Sequence, residues 1–424
     1  MSVGQPLLPW VWGAAALALT LLLALYFLSG RGIGHRFVLV LGVLIYAVVP
    51  FFAFSTGLYD GGPGQAVWER SFEGLYMHGA LALGVLLLLV MAYVAGDLLP
   101  RPRRFIAFDR PLALAPLTAA LAGLATLCAY YIFQSRELLL SGYLLDYRPD
   151  LMGPLATASL ATLLLLLNLC QWRQSQTLLR AYAVLLALNS AALLSMGGRL
   201  YVAATVVALA LFWFDRPALR APKARLVGLL LAMLAVLLLG LVGLLRVDLE
   251  IDLATVGQLL LAEPLLTSIS LGGLADCRLV DWVNLPANYG SSIINFIPSA
   301  LLPGKERWLL DLDPGGNCLA SPFGATHIGT ALLVNFGYAG AMLVVAAFAY
   351  LMKCLRRDGG WWLYYYLCSL LPFMLFRDGF LIFNKAFFGT GLLLALLMVM
   401  LSPRPKRKAG KVPASDMPLA RAPH

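Results

Sequence analysis

Charge is scarce in this chain. Only 12% of its 424 residues are Asp, Glu, Lys or Arg, while 61% are hydrophobic. Mean hydropathy is +0.83, which excludes an ordinary soluble domain. Histidine occurs four times, and no His, Cys, Asp or Glu group has metal-ligand spacing, so metal catalysis is not indicated. Six cysteines in this length suggest no disulfide scaffold. There is no GxxxxGK[ST] run, hence no internal ATP engine, and no cofactor is implied. The first apolar run, Leu7 to Leu28, lacks a preceding basic residue and a small-residue cleavage site. It reads as a retained first span and not a signal peptide. The formal charge of +10 is spread through short turns and the tail, a pattern of topogenesis and anionic-lipid contact, not of nucleic-acid binding.

What remains is apolar sequence, enough for about 11 membrane helices (roughly 10–12) of about 20 residues each. The expected fold is all-α and polytopic, with spans near 9–28, 37–56, 77–95, 111–133, 153–170, 180–196, 200–215, 225–245, 326–350, 361–376 and 380–401. About two thirds of the 31 Lys and Arg fall on one side of this alternation. That side holds Arg31/Arg36, Arg101/Arg103/Arg104/Arg110, Arg173/Arg180, Arg216/Arg220/Lys223/Arg225, Lys353/Arg356/Arg357 and the tail from Arg404 to Lys411. The positive-inside rule makes it cytoplasmic, with the C-terminus inside and the N-terminus outside. Four regions follow: an N-terminal bundle over 1–245, a long outer loop over 246–325, C-terminal spans over 326–401, and a basic tail over 402–424 that is expected to be disordered.

A loop that long among short turns is usually functional. It carries Asp248, Glu250, Asp252, Glu263, Asp276, Asp281, Glu306, Asp311 and Asp313 against Arg246, Arg278, Lys305 and Arg307. Its stretch 256–274 is apolar but broken by Glu263-Pro264 and Gly272-Gly273, which reads as a short helix on or dipping into the membrane. Cys277 and Cys318 are its only cysteines; in an oxidising compartment they either pair or stay as free thiols.

Two arginines defy the inside bias. Arg199 follows Met196-Gly197-Gly198, and Arg377 lies in Phe376-Arg377-Asp378-Gly379-Phe380, both in tight outer turns. A guanidinium can hold two oxygens of a phosphate or pyrophosphate at once and stays charged when buried. The bland reading is an ion pair of Arg377 with Asp378, or snorkelling to lipid phosphate. His327 starts the ninth span on the same side; its ring either takes a proton from a hydroxyl or caps that helix. Glu306, Asp281 and Glu263 are rival proton acceptors. Arg278, flanked by Asp276 and Asp281, and the cluster Lys305, Glu306 and Arg307 beyond a Pro-Gly turn either bind sugar or anion or form a solvated loop edge.

Asn295–Arg307 (NFIPSALLPGKER) followed by Gly324–Gly340 (GATHIGTALLVNFGYAG) resembles the loop-to-helix signature of bacterial O-antigen and exopolysaccharide repeat-unit polymerases. Ser195–Arg199 (SMGGR) and Arg377-Asp378-Gly379 resemble that family's arginine-containing turns, and the likeness covers mainly residues 180–400. Thr330 stands where the family often has an acidic residue, which shifts acid/base work towards His327 or a loop carboxylate. The resemblance implies a multi-span, lipid-dependent, metal-independent glycosyltransferase of the bacterial inner membrane. Its substrate would be undecaprenyl-pyrophosphate-linked oligosaccharide, and its partners the flippase and chain-length regulator of the same pathway. In that picture Arg199 and Arg377 compensate the leaving pyrophosphate, His327 assists the acceptor, and Arg278, Asp281, Lys305, Glu306 and Arg307 position substrate. An O-antigen ligase acting on lipid A-core would look much the same. A polysaccharide or lipid transporter would be expected to show two repeated halves, and none is found.

Overall fold

In a hydrocarbon layer the backbone must satisfy its own hydrogen bonds, so long apolar runs become helices. The computed structural model describes residues 8–28, 34–56, 79–100, 111–137, 139, 149–215, 226–228, 230, 264–271, 274, 279–297, 301–312, 326–357, 360–371 and 380–402. The regular elements among these are all helical. They are α1 (Leu8–Leu28), α2 (His35–Val43, continuing through a π-helical turn Leu44–Val48 into Val49–Ser55), α3 (Gly79–Leu98), α4 (Leu114–Gln134), α5 (Pro149–Trp172), α6 (Gln176–Ser195) and α7 (Arg199–Phe214). Then follow α8 (264–271), α9 (Ala287–Ile293), α10 (Ile328–Arg357), α11 (Trp361–Leu370) and α12 (Phe380–Asn384, continuing through a π-helical stretch Lys385–Leu394 into Ala395–Leu401).

Six of these are long and apolar enough to cross a membrane: His35–Ala53, Leu114–Gln134, Leu151–Trp172, Gln176–Ser195, Ile328–Arg356 and Phe380–Leu401. Pro9–Leu25, Ala82–Leu98 and Leu200–Phe214 are shorter apolar helices at further expected span positions. The chain is therefore an all-α, multi-span membrane protein. Most of the expected eighth span, 225–245, falls outside the described residues, and the expected span 361–376 is described as a helix only over Trp361–Leu370.

Centrally placed, α5 buries Leu155, Leu163 to Leu167 and Leu169 against its neighbours. By contrast α1, α4 and α6 present Leu21, Leu25, Leu127, Phe133, Val184 and Leu188 outward, as lipid-facing helices do. Close approach replaces bulk where α3 crosses α10: a Cβ on Gly96 would lie 2.1 Å from the carbonyl oxygen of Ala346. Such small-residue crossings let helices pack where lipid removes the hydrophobic drive.

One end of the bundle is fastened by buried polar groups. The hydroxyl of Tyr364 on α11 meets both the backbone N–H (2.7 Å) and Nδ1 (2.8 Å) of His35. Asp97 at the end of α3 pairs with His35 and Arg36, and Lys353 donates to the carbonyls of Asp97 and Leu99. Tyr365 donates to Asp215 at the end of α7, with Arg356 4.0 Å from the same carboxylate. Each cation here has a carboxylate or carbonyl partner, which is what charge near a membrane requires.

Within the stretch 256–274, where a short helix is expected, residues 264–271 form α8. Helix α8 is interior: Leu265, Thr267, Ser268, Ile269 and Ser270 are fully buried, and Ser268 Oγ donates to the carbonyl of Tyr46 on α2 at 2.9 Å. Its Ser and Thr hydroxyls find partners inside the bundle, so burial costs them little.

Candidate anion and loop-docking site

At the opposite end, residues 279–297 and 301–312 fold onto α10 and α12. The docking begins with a break in α10 at Gly337, where φ is +70° and ψ is −177°. The backbone N–H groups just beyond it donate outwards: Tyr338 to the carbonyl of Asp281 (3.1 Å) and Ala339 to that of Trp282 (3.0 Å). Asn284 closes this loop by donating to the carbonyls of Leu279 (2.6 Å) and Val334 (2.8 Å).

Asn335, two residues before the break, accepts from the backbone N–H of Tyr289 (2.6 Å) and donates to Asn288 Oδ1 (3.2 Å) and the carbonyl of Ala331 (2.8 Å). It thus caps α9 from another element, satisfying an N–H that a short helix leaves open. The Tyr289 ring packs against Phe336 and Phe380, with centroids 5.1 and 4.8 Å away. From α12, Asn384 donates to Ser292 Oγ at 2.6 Å. Asn335 of the Asn-Phe-Gly motif and the backbone just beyond it therefore hold the loop, and Asn384 holds it from α12.

Beyond the Pro303-Gly304 turn (Gly304 φ +73°), a 3-10 turn spans Lys305–Trp308. Lys305 is 6% exposed. Its Nζ donates to the carbonyls of Ile297 (2.6 Å) and Asn295 (3.2 Å) at the end of the α9 segment, where helix carbonyls attract a cation. Burial pulls its pKa below the ordinary lysine value, and the neighbouring Glu306 carboxylate opposes the shift. Lys385 opens the π-helical stretch of α12, one turn beyond Leu381, whose carbonyl accepts from the side chain of Asn295 at 3.2 Å, the residue whose own carbonyl Lys305 holds. The Lys385 Nζ lies 3.4 Å from where a Cβ would sit on Gly153, in the second turn of α5.

The sequence-derived candidates separate. Lys305 is drawn into the loop interior, whereas Glu306, Arg307 and Asp281 are exposed. Asp281 serves the fold through its carbonyl. Arg199 begins α7 after Gly197 (φ +96°) and Gly198, and Met152 and Leu155 of the α5 start share a buried cluster with Leu193 of α6 and Val202 of α7. Arg377, Arg278, Cys277 and Cys318 lie outside the described residues.

His327 is completely buried. Its Nδ1 accepts from the Gly329 N–H at 3.0 Å, and its own N–H donates to Ser270 Oγ at 2.8 Å. This is the geometry of an N-cap on α10, and it occupies the Nδ1 lone pair. Replacement by Ala is expected to lower stability by about 1 kcal/mol. Asn, another capping residue, is expected to recover most of that in thermal unfolding of the detergent-purified protein. If Asn restores stability but not turnover, the ring has a chemical role besides the cap.

Lys385 had a legible signal that the sequence reading passed over: it is the single charged residue between Phe380 and Leu401. Charge inside a span is costly and marks a site. Asn335 and Asn384 gave no such signal, because the loop groups they hold, at Asn288, Tyr289 and Ser292, are distant in sequence.

Between α2, α3, α10 and α12 lies an apolar cavity of about 310 Å³, lined among others by Leu39, Leu86, Tyr289, Phe348, Phe383 and Phe387. Its walls offer almost no polar group, so it suits a hydrocarbon chain and not a sugar. Compared with known protein families, with curated proteins and with solved structures, the chain matches none.

Proposed function

We propose that this membrane protein is a glycosyltransferase that joins polyprenyl-pyrophosphate-linked oligosaccharide repeats, passing the growing glycan to a sugar hydroxyl of the incoming repeat. One observation carries the reading. The two segments on which the family resemblance rests, Asn295–Arg307 and the Asn-Phe-Gly region of α10, belong to one folded unit that sets a buried lysine beside a membrane helix. A hydrocarbon-sized cavity bounded by Tyr289 of that unit gives room for a lipid tail.

The chemistry follows from the substrate. The acceptor oxygen attacks the anomeric carbon, the bond to pyrophosphate breaks, and the hydroxyl proton passes to a base. Pyrophosphate leaves readily once its charge is compensated, for which Arg199, Arg377 and Lys305 are the cations assigned. Among proton acceptors, Glu306 adjoins Lys305 and is exposed, while His327 is committed at Nδ1 to its cap. The same reading makes a flippase and a chain-length regulator its working partners.

The test is reconstitution of the purified protein in proteoliposomes with lipid-linked repeats. A ladder of lengthened lipid-linked glycan is expected. Transfer only to an added lipid A-core acceptor would make the protein a ligase, and no transfer to either would sink the enzymatic reading.

A further inference from the structure

We propose that Lys305 and Lys385 form one binding site for a phosphate or diphosphate anion, closed on its third side by the start of α5. Two ammonium groups held together repel, and each is costly at the edge of an apolar bundle. Lys385 has no carboxylate within ion-pair distance among the described residues, and the acidic neighbour of Lys305 among them is the exposed Glu306. At the other end of the bundle every basic side chain described above has found a carboxylate or carbonyl. Lys305 has likewise found two carbonyls, so the contrast lies with Lys385, for which an anion would supply the partner.

The donors suit such a guest. Lys305 spends two of its N–H groups on the carbonyls of Asn295 and Ile297, which fix it in place and leave one to donate. Lys385 projects over Gly153, where the absence of a side chain leaves space beside the first turns of α5. The π-helical stretch that opens at Lys385 widens the turn there, a distortion often found at functional sites. On another face of α12, Phe383 and Phe387 line the apolar cavity. One helix thus carries the cation and a wall of the hydrocarbon space, the two features of a lipid diphosphate. The choice of a lipid diphosphate over a free one rests on the glycosyltransferase reading; the anion site itself does not.

The experiment uses the full chain in nanodiscs of neutral phosphatidylcholine, with two probes: geranylgeranyl diphosphate and inorganic pyrophosphate. Binding is followed by calorimetry and by the probe-induced rise in melting temperature. Lys385→Met and Lys305→Met are each expected to weaken diphosphate binding at least tenfold, with Lys385→Arg retaining more than the Met variant. Lys385→Met is also expected to melt no lower than wild type without probe, because it removes a repulsion. If either Met variant does not fold, wild-type Lys385 is tested by acylation and mass spectrometry, and diphosphate is expected to protect it. Tighter binding of the lipid probe assigns a lipid headgroup, and equal binding assigns a free anion. Wild-type affinity in both Met variants, or no protection of Lys385, overturns the site. Polymerisation with unchanged affinity in the variants would leave the enzymatic reading standing without this site. Diphosphate binding without any glycan transfer would do the reverse.

Discussion

Gly337→Ala is expected to destabilise the protein by roughly 3 kcal/mol and to free the loop from α10. The backbone there, φ +70° and ψ −177°, lies in a region open almost only to glycine, where another residue costs about 1–3 kcal/mol. Space is lacking as well. A Cβ would sit 2.6 Å from the carbonyl oxygen of Asp281 and 2.7 Å from the Trp282 carbonyl carbon. Those are backbone atoms, held because Tyr338 and Ala339 donate to these two carbonyls. They cannot retreat without breaking both hydrogen bonds, each worth about 0.5–1.5 kcal/mol net. The check is thermal unfolding in detergent, with limited proteolysis of the loop at a temperature well below melting. Gly123→Ala in α4 is the control: apart from its own helix backbone nothing described lies within 4 Å of its added Cβ, and Ala is the better helix former. A Gly337→Ala protein that melts with wild type and keeps its loop protected would refute the docking.

The helices were legible because lipid leaves an apolar run little other choice. Expected spans at 9–28, 111–133 and 180–196 correspond to Leu8–Leu28, Leu114–Gln134 and Gln176–Ser195. Interior polarity was harder to read. Each hydroxyl-bearing residue of the Thr267-Ser268-Ile269-Ser270 stretch is buried, and partners such as Tyr46 are far away in sequence. The break at Gly337 was equally hidden. A glycine before Tyr-Ala-Gly is compatible with an unbroken helix, and only the carbonyls of Asp281 and Trp282 draw the ladder open. For His327 the position was readable and the role was not, since a cap and a base both place histidine at a helix start. The lysine pair was half visible. Lys305 stood out beyond its Pro-Gly turn, whereas Lys385 gained meaning once α12 was brought against α5 and the loop.

Arg199→Ala and Arg377→Ala are each expected to leave normal amounts of protein in the membrane while abolishing long polymer. For Arg199 the fold supports the first half of that outcome. The reversal between α6 and α7 is made by glycines: Gly197 has φ +96°, and the Gly198 N–H donates to the carbonyl of Leu193 at 2.6 Å. Arginine at the first position of α7 is not what turns the chain, and alanine is an excellent helix former there. The second half rests on charge. The α7 start shares a buried cluster with the α5 start, and Lys385 reaches the second turn of α5, so the proposed clamp has the backbone of this turn on the same side of the bundle as that lysine. Removing one preorganised donor of developing negative charge typically costs about 10²–10³ in rate, enough to erase a polymer whose length depends on many successive transfers. Arg377 lies outside the described residues, three positions before α12, and its variant tests whether that arginine contributes equally. Lysine substitutions sharpen the test, because an ammonium keeps the charge but loses the two-point grip. An intermediate chain length with Lys and none with Ala is the pattern a diphosphate clamp requires. Normal chain lengths on a polysaccharide gel for Arg199→Ala, at equal membrane abundance, would reduce that arginine to an anchor for lipid phosphate and leave leaving-group compensation to the lysines.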